Sequence, residues 1–309
     1  MKTIYNFSKG ILQLFVLTLG CTAIQAQQQP QYTQYMYNTM SINSGYTGTN
    51  GRLEATLLHR SQWIGIDGAP DTQALGIHGK LSENTGLGLS VINDKIGPQS
   101  QQYINANFAY RLRLSENTIL SLGINSGLDL LNVDWSKGIY QNPDNAFASN
   151  IENKARFIIG SGAFLYGEKW YLGLSVPNFL ITDSYDDIEE SVIRKKTHYY
   201  VQGGYVFDLS SNLKFKPAFL AKIVEGAPVT YDLSGNFMIN EKFVLGAAYR
   251  FTDAFSGLAG FQISKSLFIG YAYDHSVTKL QKYNDGSHEI ILKFNLNDKT
   301  KLARSPRFF

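Results

Sequence analysis

The chain has 309 residues, of which 44% are hydrophobic and 17% charged, and its formal net charge is +3 at pH 7. Soluble domains usually carry about 25% charged residues, so charge is scarce here although the chain is not rich in apolar residues. This balance gives no basis for nucleic-acid binding, and a single cysteine excludes an intrachain disulfide or a four-cysteine zinc site.

The N-terminus reads as an address. Lys2 and Lys9 precede or flank an almost wholly apolar stretch from Ile11 to Leu19, and the small residues Cys21, Ala23 and Ala26 follow. The pattern predicts a secretory signal peptide over residues 1–26, cut after Ala26 in preference to Ala23. Thr18-Leu19-Gly20-Cys21 is a faint lipoprotein box, in which Cys21 would be acylated, but Thr stands where an aliphatic residue is usual. Residues 27–51 carry Tyr32, Tyr35, Tyr37 and Tyr46 yet are too short for extra spanning strands. They are expected to pack against or into the periplasmic mouth of a barrel formed by the rest of the chain.

From there on the apolar residues alternate. Leu120, Leu122, Ile124, Leu128 and Leu130 interleave with Ser121, Gly123, Asn125, Gly127 and Asp129. Phe243, Leu245, Ala247, Tyr249 and Phe251 share one face, with Val244, Gly246, Ala248 and Arg250 on the other. Period-2 signals of this kind predict strands, over 52–62, 70–81, 86–96, 100–114, 118–134, 154–166, 169–177, 196–208, 213–224, 228–239, 242–251, 255–264, 267–276 and 287–297. The count is fourteen, and it is even. Even-numbered connections are tight, and Leu81-Ser82-Glu83-Asn84-Thr85 recurs as Leu114-Ser115-Glu116-Asn117-Thr118. Odd-numbered connections are longer or more irregular, notably 135–153 and 178–195.

A soluble sandwich would bury the bulky face, whereas a membrane barrel turns it toward lipid. Strands of about 10 to 14 residues exceed the usual soluble length and suit a tilted crossing. Aromatics crowd strand ends (Tyr103, Tyr110, Trp170, Tyr171, Tyr199, Tyr249, Tyr271, Tyr273), as an interfacial girdle requires. The reading is an all-β transmembrane antiparallel β-barrel of about fourteen strands over 52–297, with a C-terminal tail at 298–309. Short periplasmic turns and long outer loops place both termini in the periplasm.

Little in the sequence points to catalysis. The five histidines are scattered, and none makes a metal pair. His59 and His78 are expected to face each other across the first hairpin near Ser61, an arrangement a membrane hydrolase uses, although plain structural histidines are the commoner case. The acidic run 183–190 lacks the spacing of a calcium loop and reads as a solvated loop. No cofactor and no metal are expected.

Three blocks carry a family resemblance: Gln34-Tyr35-Met36-Tyr37-Asn38; then Asn43, Tyr46 and Gly48; then Arg60, Gln62 and Trp63 followed by Gly68-Ala69-Pro70-Asp71-Thr72. In that order they resemble the PorP/SprF family of outer-membrane proteins of the type IX secretion and gliding machinery. The tail Ser305-Pro306-Arg307-Phe308-Phe309 extends the likeness, while Ser44-Gly45 departs from a usual Pro-Ala. The resemblance implies a non-enzymatic barrel that supports export or surface anchoring of a secreted adhesin-type cargo through its C-terminal sorting domain. It also implies contact with other secretion components and with outer-membrane lipid, and no nucleic acid. Arg and Trp are frequent interface anchors. Arg60, Gln62, Trp63, Ile64, Gly68 and Pro70, with Trp135 and Tyr140, are therefore the candidate partner-binding residues. Arg60, Trp63 and Pro70 serve equally well as residues that only shape the first loop. A passive diffusion porin is the rival reading.

Overall fold

The computed structural model describes residues 29–138, 150–181 and 196–296. The strands are β1 (Leu53–Ser61), β2 (Asp71–Lys80), β3 (Thr85–Ile96), β4 (Gln99–Ser115), β5 (Thr118–Val133), β6 (Ile151–Tyr166) and β7 (Trp170–Ile181). They continue as β8 (His198–Tyr205, resumed at Phe207–Asp208), β9 (Leu213–Val224), β10 (Thr230–Ile239) and β11 (Phe243–Arg250). The last three are β12 (Ala254–Gln262), β13 (Leu267–Ser276) and β14 (Ser287–Leu296). Neighbours pair antiparallel, and β1 closes on β14 from Leu53 opposite Leu296 to Ser61 opposite His288. The result is a closed barrel of fourteen strands, as the alternation and turn signals predict.

Two strands differ in detail from the sequence reading. β7 runs to Ile181, past Pro177, where the ladder with β6 slips between Ile159 and Ser161. Proline has no N–H to give the ladder, and its carbonyl is taken instead by Asn125 Nδ2 at 2.9 Å. β8 breaks at Val206, whose N–H turns to the Lys169 carbonyl at 2.7 Å.

The core is inverted relative to that of a soluble protein. Leu57, Leu75, Leu89, Leu122, Leu174, Leu245 and Ile290 point outward, each 41–54% exposed. Glu54, Arg60, His78, Asn107, Asp129, Lys216, Asn236 and Lys293 are buried inside. An apolar belt around a polar interior is stable only with lipid outside. Among the described residues no helix is long and apolar enough to cross a membrane. Tyr110, Tyr199, Tyr249 and Tyr271 point outward as a girdle requires, but Tyr103 and Tyr171 turn into the lumen. Alternation places them there, since each falls on the polar face of its strand.

The even connections form one end of the barrel, here the turn end. Serine hydroxyls organise them: Ser82, Ser210 and Ser264 each accept a backbone N–H two residues on. Asn240 and Glu241 take the positive φ values, 53° and 54°, of a two-residue hairpin turn. The odd connections form the opposite, loop end. The described chain starts at the loop end, where the Tyr200 hydroxyl donates to Gln29 Oε1 at 3.3 Å, and finishes at the turn end with Leu296. The expectation put both termini on one side; the termini themselves lie outside the described residues, and the two described ends are at opposite ends of the barrel. Leu89→Arg, within the outward belt, is expected to lower stability in lipid by about 2–4 kcal/mol, read from urea unfolding in vesicles, while Ser90→Ala on the inner face stays near neutral.

Candidate functional site

Residues 29–51 occupy the lumen. Tyr32 through Met40 and Ile42 through Thr47 are all buried. The segment has no apolar period and forms consecutive turns, with 3-10 turns at Thr39–Ser41 and Ser44–Tyr46. Inside the barrel each turn satisfies backbone groups that would otherwise be stranded: Tyr37 N–H donates to Gln34 O, Asn38 N–H to Tyr35 O, and Tyr46 N–H to Asn43 O. Tyr32, Tyr35, Met36, Tyr37 and Ile42 pack with inward residues from around the wall, including Leu58, Ile92, Ile158, Leu220 and Ile291. Tyr37 stacks on Phe268 with ring centroids 4.8 Å apart. Met40 and Tyr46 join Phe164, Tyr166 and Tyr171 in a second cluster. Between segment and wall a cavity of about 40 Å³ remains, lined by Tyr32, Ile42, Tyr103, Asn107, Asn125 and Tyr200 among others, room for a few waters.

Charged groups hold the segment at both ends. At the loop end, Arg60 bonds Asp274 at 2.7 Å and Glu289 at 3.2 Å, all three side chains being almost wholly buried. Glu289 accepts the backbone N–H groups of Thr33 and Gln34 at 2.9 and 2.8 Å. The Thr33 hydroxyl lies 2.7 Å from Asp274 Oδ2 and accepts from Arg60 Nη1 at 2.9 Å. Gln31 bridges Asp232 and Lys222. At the turn end, Glu54 pairs with Lys293 at 2.8 Å and with His78 Nε2 at 3.3 Å, and Asn50 donates to the same carboxylate. His78 Nδ1 accepts the Gly48 N–H at 3.1 Å, which assigns the ring proton to the Nε2 side. Arg111 donates to the carbonyls of Gly48, Ser82 and Thr85.

The candidate residues divide between these environments. Gln62, Trp63, Ile64, Gly68 and Pro70 lie together in the first loop, which is joined by backbone bonds to its neighbours. Gln62 N–H reaches Pro70 O at 2.9 Å, Ile64 exchanges bonds with Gly286 O and Asp285 N, and Gly97 N–H donates to Gly68 O. Trp63 N–H donates to Ser287 Oγ at 3.1 Å while its φ of 46° is left-handed, a strained backbone for a bulky residue. Arg60 points its guanidinium inside the barrel and touches this group only through Gln62, whose Oε1 accepts from Nη2 at 3.4 Å. Trp135 packs on Leu131, Val133 and Ile151 at a different part of the rim. There Ser136 and Lys137 hold the Asp134 carboxyl below the usual carboxylate range. Tyr140 and the acidic run 183–190 lie outside the described residues.

His59 and His78 are on opposite faces, so the pairing expected across the first hairpin does not form. His59 is outward, with Ser61 Oγ 3.1 Å and Asp71 Oδ2 3.5 Å from the same Nε2 atom. A relay needs the carboxylate on one ring nitrogen and the nucleophile on the other, and this cluster has both on one. Among the described residues no group of three His, Cys, Asp or Glu is placed to hold a metal ion.

Residues 24–294 match the family described as type IX secretion system membrane protein PorP/SprF. The chain belongs to the PorP/SprF family. It is a secretion-system membrane protein with an outer-membrane barrel fold. Of solved structures, the CymD monoaromatic hydrocarbon channel aligns with a TM-score of 0.51 and 10% identity over 85% of this chain and 94% of its own, a likeness of fold. Omp33 of Acinetobacter baumannii aligns at 0.44, with 11% identity over 80% and 100% of the two chains. The KdgM porin aligns at 0.41, with 10% identity over 79% and 99%. No curated protein matches.

The three blocks of the PorP/SprF resemblance fall mainly on the lumen segment and its wall contacts: Gln34 to Asn38, Asn43, Tyr46 and Gly48 are the filling, and Arg60 is its clamp. Arg60→Ala leaves Asp274 and Glu289 buried together without their counter-charge. Loss of one partner from such a group costs about 3–5 kcal/mol, so the folded form in detergent gels should give way at a clearly lower temperature. Arg60→Lys should recover part of that loss.

Proposed function

We propose that this PorP/SprF protein binds a secreted, adhesin-type cargo through the cargo's C-terminal sorting domain, for export or surface anchoring, and catalyses no reaction. One observation carries the choice over a passive porin: residues 29–51 fill the lumen, and a diffusion pore needs that space open. With the interior occupied, binding falls to the rim. Even turns offer little surface, and in outer-membrane barrels the longer loops face outward.

The rim has the chemistry of an interface. Ile64 and Leu280 are each 38% exposed and Tyr283 is 71% exposed, and backbone bonds between Ile64 and Asp285–Gly286 tie the two loops that present them. Exposed apolar groups clustered on a water-facing rim mark a contact site. Trp63 immediately precedes Ile64 in the first of these loops and is tied by its N–H to Ser287, next to Gly286. Because its bond to Ser287 uses a backbone atom of Trp63, its side chain is removable without opening the barrel.

Trp63→Ala is expected to leave the heat-modifiable barrel intact and to weaken cargo recovery in pull-downs by roughly tenfold or more, the loss of one aromatic anchor of about 2 kcal/mol. Equal recovery from the folded variant moves the cargo site off the first loop. Large, stable currents from the intact protein in planar bilayers would favour the diffusion-porin reading instead.

A further inference from the structure

The two halves of the lumen segment are held by different kinds of contact. Over residues 39–51 the wall meets the backbone directly, through glycines. A Cβ on Gly123 would lie 2.2 Å from the Ser44 carbonyl carbon, and one on Gly86 would lie 2.3 Å from Thr47 O. Asn43 Nδ2 reaches the carbonyls of Ala163 at 3.2 Å and Leu174 at 3.3 Å. This half also runs directly into β1, so it cannot leave without moving strands.

Residues 29–38 are gripped mainly by side chains, and the wall residues that grip them are already paired with one another. Arg60 bonds both Asp274 and Glu289, and Arg250 bonds Asp232 at 2.9 Å. Removing the arm therefore leaves these ion pairs in place and takes from the wall charges only uncharged partners, among them the Thr33 and Gln34 N–H groups on Glu289 and the Gln31 side chain on Lys222, which a competing peptide can replace. Residues 27–51 contain no charged side chain, so the arm breaks no ion pair when it departs; its cost is the exposure of Tyr32, Tyr35, Met36 and Tyr37, which a competing peptide offsets by burying its own apolar groups. Inside, the Tyr32 hydroxyl and Asn38 Nδ2 are buried without a hydrogen-bond partner among the described residues, a penalty that water at the mouth relieves. The grip itself reads main chain: both oxygens of Glu289 take consecutive N–H groups, and Arg60 with Asp274 takes one hydroxyl.

We propose that the wall around Arg60, Asp274 and Glu289 is a binding site for a turn-forming, uncharged peptide bearing Thr or Ser, occupied here by the chain's own displaceable arm, residues 29–38, while residues 39–51 stay fixed. A segment entering from the loop end would take the arm's bonds one for one. The arm's high local concentration keeps the site filled until a competitor arrives.

Thiol labelling tests this directly, since the only cysteine in the sequence is Cys21, which is removed by Cys21→Ser in every variant. Purified full-length protein carrying Thr33→Cys is reacted with a bulky maleimide in detergent, alongside protein carrying Ser44→Cys. The thiol at position 33 should label slowly, and at least tenfold faster either with Glu289→Gln added or with millimolar synthetic peptide of residues 29–38. The same peptide with proline in place of Thr33, lacking the N–H and the hydroxyl, should have no effect, and the thiol at position 44 should stay protected throughout. A labelling rate at position 33 that the peptide does not move overturns the site, whatever Glu289→Gln does. Exposure of position 44 in step with position 33 overturns the division into arm and anchor. If Glu289→Gln fails to fold, the peptide competition on the Thr33→Cys protein still decides.

Discussion

Fourteen strands close around more space than their inward side chains can occupy, and residues 29–51 take up the remainder. That filling constrains much of the interior. The wall carries glycine where the segment's backbone must approach, at Gly86 and Gly123, and long charged side chains where it stands off, at Arg60 and Glu289. The lumen thereby acquires an apolar cluster of its own, built on Tyr32, Tyr35 and Tyr37, inside a barrel whose inner face is otherwise polar.

Charge inside such a body is tolerated only when paired. Interior groups comply in small sets: Arg60 with Asp274 and Glu289, Arg250 with Asp232, and Lys293 with Glu54. Each set spans different strands, so the wall is cross-linked by its ion pairs. The scarcity of charge in the composition reflects the same constraint, because the lipid face of a barrel admits almost none and the lumen admits only what it can pair.

The barrel was largely legible in the sequence because a strand's side chains alternate strictly between faces, so pattern alone separates lipid from lumen. The same rule, applied to Tyr103 and Tyr171, would have put them inside; grouping them with the girdle weighed residue type above register. His59 and His78 were misjudged likewise, since nineteen positions apart across a hairpin says nothing of face until the pairing of His78 with Glu54 is known. The lumen contacts were not legible at all. Thr33 meets Glu289 across 256 residues of sequence, and no period marks a segment built of consecutive turns. What did mark it was the tyrosine-rich stretch ahead of the first strand, expected to pack against or into a barrel mouth, together with the blocks shared with the PorP/SprF family, most of which the structure places within the lumen.

Both charged clusters that hold the segment also lie on the seam where the barrel closes. β1 and β14 are the first and last strands, and bringing them together carries the largest loop-closure entropy in the molecule. Arg60 and Glu54 are on β1; Glu289 and Lys293 are on β14. The pairs Arg60–Glu289 and Glu54–Lys293 therefore join the strands at both ends of the seam. Thr33 and Gln34 bond Glu289, and Asn50 bonds Glu54, so the segment is stitched to the same seam. An N-terminal segment that precedes β1 in sequence and binds β14 in space brings the two ends of the sheet to one surface. Filling the lumen and closing the ring are, on this geometry, one cooperative event: neither cluster is complete until β14 is in place, and β14 has its buried charges satisfied only when β1 and the segment are there to meet them.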